Sequence, residues 1–331
     1  MTNWRSMVDG VIESTIVPSF GRSGYSIRKR MHRWEPLDGY NLDGQVIVIT
    51  GATSGIGLEA ARVFAERRAT VVIVGRDARR NGETATALGA ATGNRAVSFA
   101  SADMGDLNQV GNLARELLDR YEQLDILVHN AGALSQQRQT SPDGIEVTVA
   151  SQVVGPFLLT ALLLDRLSLS GSSRVLTMAS GGLYTCELFG DEIEMPTNAY
   201  RGAEQYGRAK RAQVTLTELW AQRYGHLGIR FHTTHPGWVR TPGLAKSLPR
   251  FNSMLGPVLR SCPQGADTLV WLACDDEALN TNGLFWHDRQ PRPIHRIART
   301  QLSDTDEQRS RLWSWVLSQC PTLPGHLSTI D

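Results

Sequence analysis

From about residue 45 onward, short β-branched runs alternate with longer stretches whose apolar residues recur at helical spacing. Residues 45–50 (QVIVIT) are the first run; 70–74, 96–101, 124–130, 174–179 and 229–235 follow, and 283–287 is a weaker last one. Between them lie helical patterns such as 58–68 and 207–224. Strands covered on both faces read as near-continuous apolar runs, and helices of this length join them as βαβ crossovers. The pattern predicts an α/β fold: a single Rossmann-type, doubly wound parallel sheet of about seven strands. No repeat or low-complexity linker divides it. Residues 43–290 are therefore read as one domain, with a 1–42 extension before it and a helical 291–331 extension after it.

Composition narrows the classes. The 331 residues are 41% hydrophobic and 20% charged, enough for a sizeable core. A formal charge of +1 leaves no global positive field for nucleic acid. Cys186, Cys262, Cys274 and Cys320 match no CxxC or zinc spacing, so they read as reduced thiols, with no metal site and a cytoplasmic location expected. No stretch reads as reaching the ~18 apolar residues of a membrane span. Only Lys29, Lys210 and Lys246 among the 34 basic residues are lysines, which makes each conspicuous.

The extensions differ from the centre. Trp4, Met7, Val8, Val11, Ile12 and Ile16 recur at helical spacing and predict an amphipathic helix. A basic stretch follows (Arg22, Arg28, Lys29, Arg30, Arg33) with Phe20, Tyr25 and Trp34 interleaved. Two readings stay open: a peripheral contact with a membrane surface or partner, or a helix packed on the domain's own apolar patch. Near the other end, Asp304 or Ser303 is expected to cap a helix through Leu317. Its face of Leu312, Trp313 and Val316 reads as core cover or a pocket rim.

Directly after the first strand, Thr50-Gly51-Ala52-Thr53-Ser54-Gly55-Ile56-Gly57 opens a helix. A phosphate there meets free N–H groups and the positive end of the helix dipole. Glycine is needed where a Cβ blocks the turn or the pyrophosphate. The second strand ends in Gly75-Arg76-Asp77, with Arg79 and Arg80 one turn on. A guanidinium at that tip suits a ribose 2′-phosphate, so NADP(H) is preferred and NAD(H) stays open through Asp77.

The turn resembles that of the short-chain dehydrogenase/reductase family, and the family's other motifs occur in order over residues 45 to 290. They are Ser101-Ala102-Asp103-Met104, His129-Asn130-Ala131-Gly132, Ser180 after the fifth strand, Tyr206-Gly207-Arg208-Ala209-Lys210, and His235-Pro236-Gly237-Trp238-Val239-Arg240-Thr241. Residues 179–183, 234–243, 264–273 and 285–289 resemble the branch that holds member twelve and the retinol-dehydrogenase-like enzymes. The resemblance implies cofactor contacts from Gly51, Thr53, Ser54, Gly55, Ile56, Gly57 and Arg76. It adds Asp103 and Met104 near adenine, then Asn130, Ala131 and Gly132, and Pro236, Gly237, Val239 and Thr241 beside the nicotinamide. It also implies a homo-oligomer paired through the helices after strands four and five.

Tyr206 and Lys210 lie four apart and share a helix face. A phenol near pKa ~10 exchanges protons poorly at neutral pH, and a nearby ammonium favours the phenolate. Lys210 is therefore expected to lower the Tyr206 pKa and to hold ribose hydroxyls. Ser180 is expected to bond the reacting carbonyl oxygen, and Tyr206 to move its proton. Tyr200 is a weaker rival, because the residue four later is Glu204. His129 and His235 read as packed histidines. Where the family carries an asparagine holding a relay water, this chain has Gln152; either its amide or its main-chain carbonyl holds that water, or the proton relay runs differently.

Segments 184–206 and 240–263 follow strands five and six at the ligand edge of the sheet. Leu244, Leu248, Phe251, Met254, Leu255, Val258 and Leu259 predict an apolar lid, and Leu183, Tyr184, Leu188 and Phe189 an opposite wall. A small apolar carbonyl or alcohol is the expected substrate. The rival reading is a catalytically weak or inactive nucleotide-binding scaffold or redox sensor at a membrane. An epimerase ranks lower, because that branch spaces its turn as TGxxGxxG.

Overall fold

A computed structural model describes residues 4–320 except 248, together with 323 and 325. Its sheet comprises β1 (Val46–Thr50), β2 (Thr70–Gly75), β3 (Val97–Ser101), β4 (Ile126–His129), β5 (Arg174–Met178), β6 (Arg230–Thr234), β7 (Phe285–His287) and β8 (Gln290–Pro291). The order is β3-β2-β1-β4-β5-β6-β7-β8, parallel as far as β7. β4 and β5 are buried along their whole length, as central parallel strands must be. Because the order reverses between β1 and β4, a crevice opens at their C-terminal ends.

The eighth strand was not expected. β8 pairs antiparallel with β7 through a two-residue turn, Asp288-Arg289, with φ of 55° and 53°. Such a turn usually carries Asn-Gly or Asp-Gly. Here ion pairs hold it: Asp288 meets Arg28 at 2.8 Å and Arg260 at 2.6 Å, and Arg289 meets Asp267 at 2.7 Å.

Helices cover both faces. The extension forms α1 (Trp4–Glu13), α2 (Val17–Phe20) and α3 (Arg22–His32). In the domain follow α4 (Gly55–Glu66), α5 (Ala78–Thr92), α6 (Leu107–Arg120) and the single turn α7 (Val147–Val149). A π-helical turn, Ala150–Val154, leads into α8 (Gly155–Ser168). Next come α9 (Gly202–Tyr224), α10 (Pro242–Ser247), α11 (Pro249–Leu255), α12 (Cys262–Cys274), α13 (Ala298–Leu302) and α14 (Asp306–Gln319). One segment, Val147–Ser168, is long and apolar enough to span a membrane, correcting the expectation that none is. Its side chains are mostly buried because it is a core helix against the sheet.

Three further expectations change. α1 turns Asp9 and Ile12 inward, while Trp4, Met7 and Val11 face out at 59%, 65% and 64% exposure. The inward side is ionic, because Asp9 and Glu13 meet Arg28 and Arg292. Arg28 therefore leaves the predicted basic surface and is fully buried. At the other end, Thr305 caps α14 by accepting from the Gln308 N–H at 3.2 Å, in place of Ser303 or Asp304. Asp304 is spent on Arg309 at 2.6 Å. Trp313 packs 5.0 Å from Phe157 on α8 and 5.1 Å from Trp220 on α9, so α14 is core cover and occupies a face of the two helices expected to pair between subunits.

Candidate active site

At the β1–α4 turn, side-chain-free backbone is a steric requirement. A Cβ on Gly51, where φ is +68°, would stand 2.7 Å from the Ala131 Cα. One on Gly57 would overlap the Asn130 amide and stand 2.5 Å from the Gly51 carbonyl oxygen. Asn130 donates to the Thr50 and Gly51 carbonyls at 3.0 and 3.1 Å, while Thr50 Oγ1 accepts from the Asn130 and Ala131 N–H groups, both at 3.1 Å. Asn130 and Ala131 thus brace the turn. Ser54 caps α4 without a side-chain hydrogen bond, which leaves first-turn N–H groups free of any capping side chain. Gly55 and Ile56 begin the helix, and Thr241 closes over Gly55, 3.3 Å from where a Cβ would be. This donor set fits the pyrophosphate of a dinucleotide.

The adenosine end is polar and open. Arg76 lies 3.8 Å from Asp103 across the tips of β2 and β3. Arg80, noted in the sequence only as a neighbour, donates to the Thr53 carbonyl at 3.3 Å and so sits against the turn itself. Asp77 is taken: its carboxylate caps α5, accepting from the Arg80 N–H at 3.1 Å. The Met104 side chain is buried in the core among α6 and α8 residues.

Ser180 lies two residues past β5 and caps a short 3-10 turn, Gly181–Thr185, by accepting from the Gly182 N–H at 3.3 Å. Burial pushes Tyr206 above the usual tyrosine range, and the neighbouring Ser180 hydroxyl opposes that rise. One turn along α9, Lys210 Nζ lies 5.2 Å from the Tyr206 ring centre. It donates to the Met178 carbonyl and to Gln213 Oε1, each at 2.9 Å. Burial draws Lys210 down to about 7. This corrects the expected electrostatics: the ammonium is itself destabilised, and Ser180 is the group that favours phenolate here. Tyr200 is spoken for by Glu146 at 2.9 Å.

Gln152 Nε2 donates to the Ala133 carbonyl at 2.7 Å, and its Oε1 is buried without a partner beside Gly132. The Gln152 main-chain carbonyl instead accepts from Gln213 Nε2 at 2.6 Å. Gln213 gave no motif signal; only its place three residues after Lys210 on one helix face pointed to it. Both glutamines line a cavity of about 30 Å³ with His129 and Thr160. His129 Nε2 bonds Thr160 Oγ1 at 2.8 Å, and burial draws the imidazole down to about 3, so it stays neutral.

The rim is shaped from outside the domain. Phe20 of the extension sits 4.6 Å from His235 and 5.7 Å from Trp238 between ring centres, and a Cβ on Gly181 would come 3.1 Å from it. Sequence reading missed it because nothing local ties residue 20 to residue 181. His235 Nδ1 accepts from the Gly237 N–H at 3.2 Å, and its ring stacks on His287. Pro236 offers its carbonyl to Arg260, Gly237 passes beneath Arg260 at a φ of +76°, and Val239 bridges to Arg260. Of the predicted wall, Leu183 and Leu188 turn into the core, and Phe189 lies under the Arg208 guanidinium. In the predicted lid Met254 is exposed and Leu259 buried, while Leu248 lies outside the described residues. A larger depression of about 550 Å³ beside α1, lined by Asp9, Glu13, Arg292 and Arg296, includes none of the predicted site residues.

A capless helix start after β1, a doubly wound sheet and a Ser–Tyr–Lys cluster at its ligand edge define a nicotinamide-dinucleotide oxidoreductase. The short chain dehydrogenase family model matches residues 45–250, and the chain belongs to that family, whose members act on CH–OH and carbonyl groups. Bovine dehydrogenase/reductase SDR family member 12 is 34% identical over 292 residues, covering 88% of this chain and 91% of the relative. Human retinol dehydrogenase 12 is 30% identical over 280 residues, covering 82% and 85%. Among solved structures, a short chain dehydrogenase/reductase family protein is 29% identical with a TM-score of 0.60, covering 74% of this chain and 96% of that one. A protein from Escherichia coli CFT073 complexed with NADPH is 24% identical with a TM-score of 0.61, covering 77% and 100%.

Proposed function

We propose that this protein is an NADP(H)-dependent oxidoreductase for a small apolar carbonyl or alcohol, with Tyr206 as its acid and base. The observation that carries the reading is the Tyr206 phenol, beside the Ser180 hydroxyl and one helical turn from a buried Lys210. A nicotinamide bound along the sheet edge supplies or accepts the hydride. Ser180 orients the substrate oxygen toward Tyr206. Tyr206 donates its proton to that oxygen on reduction and withdraws it on oxidation, and Lys210 holds the ribose hydroxyls. Arg76 and Arg80 supply the charge for a 2′-phosphate, with Asp77 engaged as a cap. Phe20, Trp238 and Tyr184 make the back of the site aromatic and favour an apolar substrate. The outward apolar face of α1, next to exposed Lys29, Arg30 and Arg33, suits a peripheral contact with a membrane surface.

The test is a screen of apolar carbonyls and alcohols with both cofactors, followed by NADPH fluorescence. Tyr206→Phe is expected to lose at least ~10²-fold in kcat while still binding cofactor. Equal rates in wild type and variant would remove Tyr206 from the chemistry. Tight cofactor binding with no turnover across the panel would instead favour the scaffold or sensor reading.

A further inference from the structure

Lys210 is the only lysine of the three that is buried, and its two acceptors are unlike. The Met178 carbonyl belongs to β5 and is rigid. Gln213 Oε1 belongs to a flexible side chain, so something must hold that amide in place. Its other end does so: Gln213 Nε2 donates at 2.6 Å to the Gln152 main-chain carbonyl. That carbonyl lies in the π-helical turn, four residues before Pro156. Proline has no N–H, so Pro156 cannot give this carbonyl its α-helical hydrogen bond. A buried carbonyl then calls for a donor from elsewhere, and Gln213, only 4% exposed, meets it across the helix interface.

We propose that Gln213 is a positioning residue that couples the Pro156-interrupted turn of α8 to the Lys210 ammonium. The Gln152 carbonyl fixes the direction of the amide, and the amide fixes the ammonium. The place of Lys210 is thus set by backbone across the helix interface and not by the Gln152 side chain, which bonds Ala133. Among the described residues no carboxylate acts on Lys210; the titratable groups around it are Tyr206 on its own helix and His129, which shares the small cavity with Gln213. Gln213 Oε1 is therefore a main support of the charged form. The inference rests on the proposed role of Lys210 only for its catalytic consequence; its structural half stands alone.

With three lysines in the chain, ¹³C-lysine labelling yields one Cε signal each from Lys29, Lys210 and Lys246, assigned by its loss in Lys210→Arg. In the cofactor-free protein the Lys210 signal is expected to titrate near its value of about 7. Gln213→Met, which keeps the volume and removes the acceptor, is expected to lower that midpoint by about one pH unit. Gln213→Glu, isosteric and negatively charged, is expected to raise it by at least as much. Pro156→Ala returns a competing N–H to the Gln152 carbonyl and is expected to shift the midpoint downward by less than Gln213→Met. In turnover, the pH dependence of kcat should move with the Lys210 midpoint while KM for the carbonyl changes little. Circular dichroism establishes that the variants fold, and Gln213→Glu suffices if Gln213→Met does not. A Lys210 midpoint unmoved in a folded Gln213 variant overturns the proposal. Shifted midpoints in a protein that turns over no carbonyl would uphold the positioning role and defeat the proposed enzyme instead.

Discussion

Arg76 reaches past the tip of β2 with 76% of its side chain exposed, and its 3.8 Å pair with Asp103 is worth little in water. A dianionic 2′-phosphate offers such a guanidinium a stronger, two-pronged partner. Arg76→Ala is therefore expected to weaken NADPH about tenfold while leaving NADH nearly unchanged, as read by fluorescence titration with each cofactor. Parallel losses would refute the contact. At the same scale, Ser180, Tyr206 and Lys210 show why side-chain identity underdetermines electrostatics. The sequence supplies an ammonium four residues from a phenol, but burial lowers the one and raises the other. Charge on Lys210 then depends on neutral acceptors, the Met178 carbonyl and Gln213, which no motif names.

At the level of elements, α1 reverses the usual reading of an amphipathic helix. Its docked side is held by Asp9 and Glu13, and its apolar side faces outward. Five exposed apolar residues, Trp4, Met7, Val11, Ile16 and Val17, run along α1 and into α2. Basic residues at the end of α3 complement an anionic surface. Vesicles containing anionic phospholipid are expected to co-sediment the protein at low salt, and Trp4→Ser with Met7→Ser to reduce the bound fraction several-fold. Binding that is absent at low salt, or indifferent to both substitutions, would dismiss the contact. Within the domain, the π-helical turn before α8 is the comparable case, where a single proline redirects a helix carbonyl toward a neighbouring helix.

Across the whole molecule, one ion cluster joins the N-terminal extension to the β7–β8 turn and the segment that follows it. Arg28, without solvent exposure, bonds Asp9 at 2.7 Å, Glu13 at 2.6 Å and Asp288 at 2.8 Å; Arg292 joins Asp9, and Arg260 joins Asp288. Breaking such a buried network strands its carboxylates, so Arg28→Ala is expected to cost about 3–5 kcal/mol in chemical denaturation. A loss below about 1 kcal/mol would show that the extension is not held this way. The pH dependence has a definite sign. Although burial opposes it, the cationic partners hold Asp9, Glu13 and Asp288 below the ordinary carboxylate range. Their stabilisation is complete above the unfolded carboxylate value of about 4 and is lost as pH falls through the depressed values. Wild type should accordingly lose more stability on acidification than Arg28→Ala.

Strand alternation, the glycine turn over residues 50–57 and the four-residue step from Tyr206 to Lys210 are local regularities. Backbone sterics and helix pitch write them directly into neighbouring residues, so the fold class, the strand ends and the central cluster are legible in the chain alone. Residues 20 and 181, 28 and 288, or 152 and 213 meet only because the sheet and its helices bring them together. A side chain's partner, and with it its charge and the direction it faces, depends on what stands opposite after folding. That is why the buried Arg28, the inverted α1, the eighth strand and the Gln213 bridge were settled by tertiary structure.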